Sequence, residues 1–166
     1  MKHNKKAFTL IELLVVVLII GILTTVAVPQ YQVAVAKSKY NTLKIQANAL
    51  LNAVEVYHLT TNQWPTKLMD LDISLPGEIW WDTYIYIPSM DSMKSACYIW
   101  YDSEGNGGSV GCKSQGLTYY VGFQDNHERI CRITDDSNVK ISKQVCLNET
   151  HDTAPTRGGL DYHYQD

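Results

Sequence analysis

Glu12 is the one charged side chain in residues 8–28, a run otherwise interrupted as polar only by Thr9, Thr24 and Thr25. A carboxylate at the centre of a membrane helix costs about 2.5–3.5 kcal/mol on insertion scales. Its natural chemistry is therefore pairing with a cation or with hydrogen-bond donors. A second set of reactive groups is Cys97, Cys112, Cys131 and Cys146, all in the second half and with no CxxC pair. An even count in an exported, loop-rich region reads as two disulfides, with buried free thiols as the alternative. Other residues point to less. Gly105-Asn106-Gly107-Gly108 reads as a turn rather than a phosphate cradle, and no GxGxxG or P-loop occurs. His58, His127, His151 and His163 are scattered without metal-ligand spacing. Asp135, Asp136 and Asp152 follow no calcium-loop pattern and read as solvated acids. Asn148-Glu149-Thr150 is a formal glycosylation sequon. Trp64, Trp80, Trp81 and Trp100 read as core and connector packing. No catalytic constellation emerges, so the chain is expected not to be an enzyme and to hold no cofactor and no metal.

The elements around these residues divide the chain by solvent. Its 166 residues suit one compact domain plus an anchor, and the 45% that are apolar cluster early. Residues 8–28, as a helix rising about 1.5 Å per residue, would reach roughly 30 Å, the thickness of a bilayer core. Lys2, Lys5 and Lys6 precede it and should stay in the cytoplasm by the positive-inside rule. Without them the formal net charge of −3 becomes −6. That acidic remainder lacks the excess of Lys and Arg that strong nucleic-acid binding requires. Two readings of the run are a plain membrane anchor and a secretory signal cut after Ala27, since Thr25-Val26-Ala27 fits a small-x-small site.

A third reading rests on the context of Glu12. Ala7-Phe8-Thr9-Leu10-Ile11-Glu12 directly follows the basic leader. It resembles the processing site of type IV prepilins and pseudopilins, and the likeness continues to Tyr31. Ala7 stands where that family usually has Gly. The resemblance implies cleavage between Ala7 and Phe8 by a prepilin peptidase, N-methylation of Phe8, and pairing of Glu12 with the Phe8 amine of a neighbouring subunit. Gly21 and Pro29 also match the family's positions. Both weaken helix between them, either as a segment that extends on assembly or as a simple kink.

Beyond Pro29, residues 30–60 carry Val33, Ala36, Tyr40, Leu43, Ala47, Leu50, Val54 and Tyr57 at alternating spacings of three and four. That predicts an amphipathic helix, with Lys37, Asn41, Lys44, Asn48, Asn52 and Glu55 on the opposite face and a coiled coil as the competing reading. One helix is thus expected from Phe8 to about Thr60, ended by Trp64-Pro65. An irregular connector with Leu68, Leu71, Ile73 and Leu75 as packing residues follows, to Pro88. Residues 84–87, 98–101, 117–123 and 130–134 predict about four antiparallel strands, with a turn at residues 102–108. An offset of 34 residues aligns Cys97 with Cys131 and Cys112 with Cys146, as two cysteine-bounded loops or hairpins. It favours the local pairs Cys97–Cys112 and Cys131–Cys146 over the two other connectivities, which remain open. The expected fold class is α+β, a long N-terminal helix packed on a small antiparallel head, divided into leader 1–7, membrane and assembly helix 8–29, amphipathic helix 30–60 and head 61–166.

The function expected from the resemblance is that of a major or minor pilin of a type IV pilus, serving adhesion, motility or DNA uptake. Its partners would be other pilin subunits, the prepilin peptidase, an inner-membrane assembly platform and membrane lipid. It would sit first as a single-pass inner-membrane protein with a periplasmic head, then in a filament at the cell surface. The alternatives are a pseudopilin of type II secretion and a membrane-anchored binding module that never polymerises.

Overall fold

The computed structural model describes residues 8–74, 78–81, 84–86, 96–101, 108–114, 116–123, 127–134 and 139–165. The leader with Ala7, as well as Leu75, Ile87, residues 102–107 and Asp135 with Asp136, lie outside the described residues. Of strands 78–81 and 84–86, only the backbone is described.

Helix α1 runs from Leu10 to Thr61, 52 residues, or roughly 78 Å at the α-helical rise. Thr9 starts it as N-cap, and Asn62 ends it in the left-handed conformation that short polar side chains tolerate, its N–H donating to the His58 carbonyl. Pro29 lies inside α1 without ending it. Proline removes one backbone donor there. Just before it, the Thr24 and Thr25 hydroxyls donate to the carbonyls of Gly21 and Ile22, at 3.0 and 2.7 Å.

Among the described residues, the head is a seven-stranded antiparallel meander in sequence order: β1 Glu78–Trp81, β2 Tyr84–Tyr86, β3 Ala96–Tyr101, β4 Gly108–Ser114, β5 Leu117–Phe123, β6 Arg129–Ile133 and β7 Asp161–His163. A second helix, α2 (Val139–Thr150), follows β6. The second half of α1 lies across β4 and β5, and α2 packs against α1, β6 and β7. The α+β architecture is as expected, but the sheet exceeds four strands. The additions are β1 within the expected connector, β4 and β7. The glycine- and serine-rich β4 becomes a strand because it is paired on both sides, by β3 and β5.

The eight-residue stripe packs on the sheet as its period required. Tyr40, Leu43, Ala47, Leu50 and Val54 are at most 1% exposed, with Val33, Ala36 and Tyr57 partly buried beside them. They meet the inward, alternate residues of the neighbouring strands β3, β4 and β5, including Cys97, Ile99, Val110, Tyr119, Val121 and Phe123. The coiled-coil reading falls, since the seam faces the protein's own sheet. At the distal end, Trp64 stacks on His58 with ring centroids 3.8 Å apart and meets Phe123 at 5.1 Å. On the outer sheet face, Gly111 admits Tyr98 and Tyr120. A Cβ there would come within 2.9 Å of the Tyr120 ring.

The two disulfides are Cys97–Cys112 and Cys131–Cys146. Their settings differ, contrary to the repeat expected from the 34-residue offset. Cys97 and Cys112 are cross-strand partners on β3 and β4, whereas Cys131 on β6 reaches Cys146 on α2. The second segment runs from a strand into a helix, because its buried residues Ser142, Val145, Cys146 and Thr150 recur at helical spacing.

Candidate functional site

The outward half of α1 is the structure's most unusual surface. Residues 8–28 are all exposed; Phe8 is 76% exposed and Leu10 81%. By length and composition α1 is able to cross a membrane, and none of its most apolar stretch is buried in the head. An apolar surface of this extent demands lipid or another chain.

At its start, Thr9 and Glu12 form a capping box. The Thr9 N–H donates to Glu12 Oε2 at 2.8 Å, and the Thr9 hydroxyl donates to the same oxygen at 2.6 Å. The Glu12 N–H returns a bond to Thr9 Oγ1 at 3.4 Å. The reason is local: the first helical amides lack intrahelical acceptors, and a Thr followed three residues later by Glu satisfies two of them. The box also sets an anion against the positive end of the helix dipole. Both bonds from Thr9 to the carboxylate fall on Oε2; among the described residues, Glu12 Oε1 takes no hydrogen-bond partner. Sequence reasoning singled out Glu12 and Phe8 but missed Thr9, although the T-x-x-E spacing signals it.

A second exposed stripe lies farther along α1. Tyr31, Val35, Ile45, Val56 and Leu59 are 71%, 36%, 70%, 59% and 82% exposed. Each lies two residues, or about 200° of helix rotation, from a member of the core stripe. The face expected to be polar therefore includes an apolar seam pointing away from the head. Lys37 and Lys44, read as part of that polar face, instead turn to α2 and hold the Glu149 carboxylate at 3.0 and 2.9 Å. Burial pushes the Glu149 carboxyl up, but the hydrogen bonds and charges of Lys44 and Lys37 outweigh it and leave it below its ordinary value.

The remaining candidates are placed as follows. Asp152 is buried rather than solvated; its carboxylate accepts the backbone N–H groups of Ala154 and His163, each at 2.9 Å. Those bonds hold it below the usual carboxylate range. His127 and His151 are exposed, while His163 pairs with Glu128. Thr150 of the sequon is buried and donates to the Cys146 carbonyl at 2.8 Å. That closes the helical Asn148 sequon to an enzyme needing an extended loop. Trp64 packs as expected, but Trp100 is 58% exposed. Strand alternation places its neighbour Ile99 in the core and turns Trp100 to the outer face.

A family model described as a prokaryotic N-terminal methylation motif matches residues 2–28. The chain is 36% identical over 79 residues to a fimbrial protein of Neisseria meningitidis serogroup B (strain ATCC BAA-335 / MC58), covering 48% of this chain and 46% of that one. It is 36% identical over 76 residues to the type IV major pilin protein PilE1 of Neisseria gonorrhoeae, covering 46% of each. It is 46% identical over 55 residues to the type IV major fimbrial protein FimA of Dichelobacter nodosus, covering 33% of this chain and 35% of that one. The chain thus spans less than half the length of the curated relatives it matches. No solved structure matches. The likeness to type IV pilins read from residues 8–31 is met by both the family model and the named relatives, which are structural subunits rather than enzymes.

Proposed function

We propose that the chain is a structural subunit of a type IV pilus, polymerised through α1. The observation that carries this reading is the wholly exposed apolar segment 8–28, with its one acid held at the helix start and one oxygen of that acid left open. Cleavage between Ala7 and Phe8 would place a new ammonium one residue before the cap. Glu12 could then accept from the Phe8 amine of a neighbouring copy through Oε1 while Thr9 keeps Oε2. An unpaired carboxylate in an apolar bundle is costly and a paired one tolerated, so only subunits in register would be stable there. The exposed seam of Tyr31, Val35, Ile45, Val56 and Leu59 supports the same reading, since it offers neighbouring helices apolar contacts spaced along the helix beyond the membrane-length segment. Gly21 and Pro29, both exposed on α1, supply the stretch where the helix can yield.

The subunit would rest in the inner membrane with a periplasmic head until the assembly platform and its sister subunits draw it into a surface filament. The named relatives, all fimbrial proteins or major pilins, favour a pilus over a secretion pseudopilus. Mass spectrometry of the mature protein from native membranes tests the reading. A chain beginning at Phe8 and one methyl group heavier is the expected result. A chain beginning at Met1 would support a non-polymerising anchor, and one beginning at Val28 a secreted protein; either defeats the proposal. Glu12→Ala should spare membrane insertion and abolish filaments, and a normal filament yield from it refutes the role of the carboxylate.

A further inference from the structure

At the β7 edge of the sheet, three side chains from separate segments converge. His163, the last residue of β7, lies opposite Ile130 of β6. Its Nδ1 pairs with the carboxylate of Glu128, which immediately precedes β6. Its Nε2 is 2.8 Å from the hydroxyl of Thr156. Thr156 stands at the foot of the turn leading into β7, in an isolated bridge with Asp161.

The frame around them is closely held. Asp152, 4% exposed, ties the backbone of His163 to that of Ala154. The Thr156 carbonyl accepts from Gly159, Leu160 and Asp161. Positive φ angles of 51°, 71° and 87° at Arg157, Gly158 and Gly159 make the turn sharp, and Thr156 is exposed on it. Among the described residues, the amides of Arg157 and Gly158 take no backbone acceptor. The β6–β7 ladder and the Asp152 bond to the His163 backbone also hold β7 in place, independently of the three side chains.

A carboxylate at Nδ1 favours the tautomer with its proton there, leaving the Nε2 lone pair for the hydroxyl proton. Nucleophile, base and orienting carboxylate then stand in the order that activates a hydroxyl. We propose that Thr156 is an activated hydroxyl that accepts acyl groups from small activated esters. Thr156 Oγ1 attacks the acyl carbon and its proton passes to His163 Nε2. The bond to the leaving alkoxide breaks, and that alkoxide takes the proton from the imidazolium. The products are an O-acyl threonine and a free alcohol, with no change of oxidation state. The site is open to solvent on a turn, and the acyl group stays on the subunit as a modification rather than turning over.

The test is to treat the full chain in detergent micelles with p-nitrophenyl acetate and follow acetylation of the C-terminal peptides by mass spectrometry. Thr153, also exposed and three residues away, is the internal control. Thr156 should acetylate at least about tenfold faster than Thr153. His163→Gln should slow Thr156 by about 100-fold, the lower end of general-base contributions. Thr156→Ser should retain the reaction. Should His163→Gln lose the fold, as read by circular dichroism, Glu128→Gln carries the same test with a smaller expected loss. Equal labelling of Thr156 and Thr153, or labelling of Thr156 undiminished in the folded base or carboxylate variant, overturns the proposal.

Discussion

The orientation of α1 is the point on which head stability and assembly both turn, and two substitutions five residues apart separate them. Leu50 is fully buried between α1 and the sheet, whereas Ile45 is 70% exposed on the seam that points away. Leu50→Ala removes buried methyl groups and leaves a cavity, which costs about 3 kcal/mol. With a urea slope of about 2 kcal/mol/M for a small domain, the unfolding midpoint should fall by about 1.5 M. Ile45→Ala removes a side chain that already faces solvent and should change stability by no more than about 0.5 kcal/mol. The assay is urea unfolding of the full chain in detergent micelles, read by tryptophan fluorescence. Trp64 reports directly, because its contact with Phe123 of β5 exists only while the end of α1 is docked. Filament yield in cells is the second readout: Ile45→Ala should lower it with the head intact. Equal midpoint losses for the two variants, or a loss below about 0.5 M for Leu50→Ala, would refute the assignment of the two helix faces.

Other consequences concern the head. Glu149 has a folded pKa below its unfolded value, so its stabilising contribution is present above the unfolded value, about 4.3, and is lost as pH falls through the folded one. Glu149→Gln should flatten the acid limb of a stability–pH curve in that window, and an unchanged limb would show that its grip by Lys37 and Lys44 does not matter. Each disulfide closes a loop with a sequence separation of 15. The pairwise changes Cys97→Ala with Cys112→Ala, and Cys131→Ala with Cys146→Ala, should each cost about 3 kcal/mol in the chain-entropy description. Thermal melting under matched conditions measures both. Gly111→Ala would drive a methyl into the Tyr120 ring and should cost about 1–3 kcal/mol by overpacking; a neutral result in denaturant titration would mean that the tyrosine pair yields freely.

What could be read without the fold was whatever depends on short-range geometry. The run from Phe8 to Tyr31 announces a span and its single acid. The stripe from Val33 to Tyr57 announces a helix face, because the period of one helix is set by its own backbone. The branched and aromatic residues of β3, β5 and β6 mark strands for a similar reason. Thr9 belonged to this legible class, since its bond to Glu12 spans three residues.

Tertiary structure decided the rest, because those features depend on partners distant in sequence. The Gly108–Ser114 segment has little strand propensity of its own and is a strand because β3 and β5 flank it. Helix α2 buries Ser142, Cys146 and Thr150, small or polar residues that weaken any apolar period. Two cysteine pairs of equal spacing became a cross-strand link and a strand–helix link, since the fold of each loop follows from what packs on it rather than from its length. Ile45 and Leu50 are both apolar residues of one helix. The period already set Leu50 on the core stripe, but only the docking of the sheet against that one side of α1 leaves Ile45, off the stripe, 70% exposed and available to another chain.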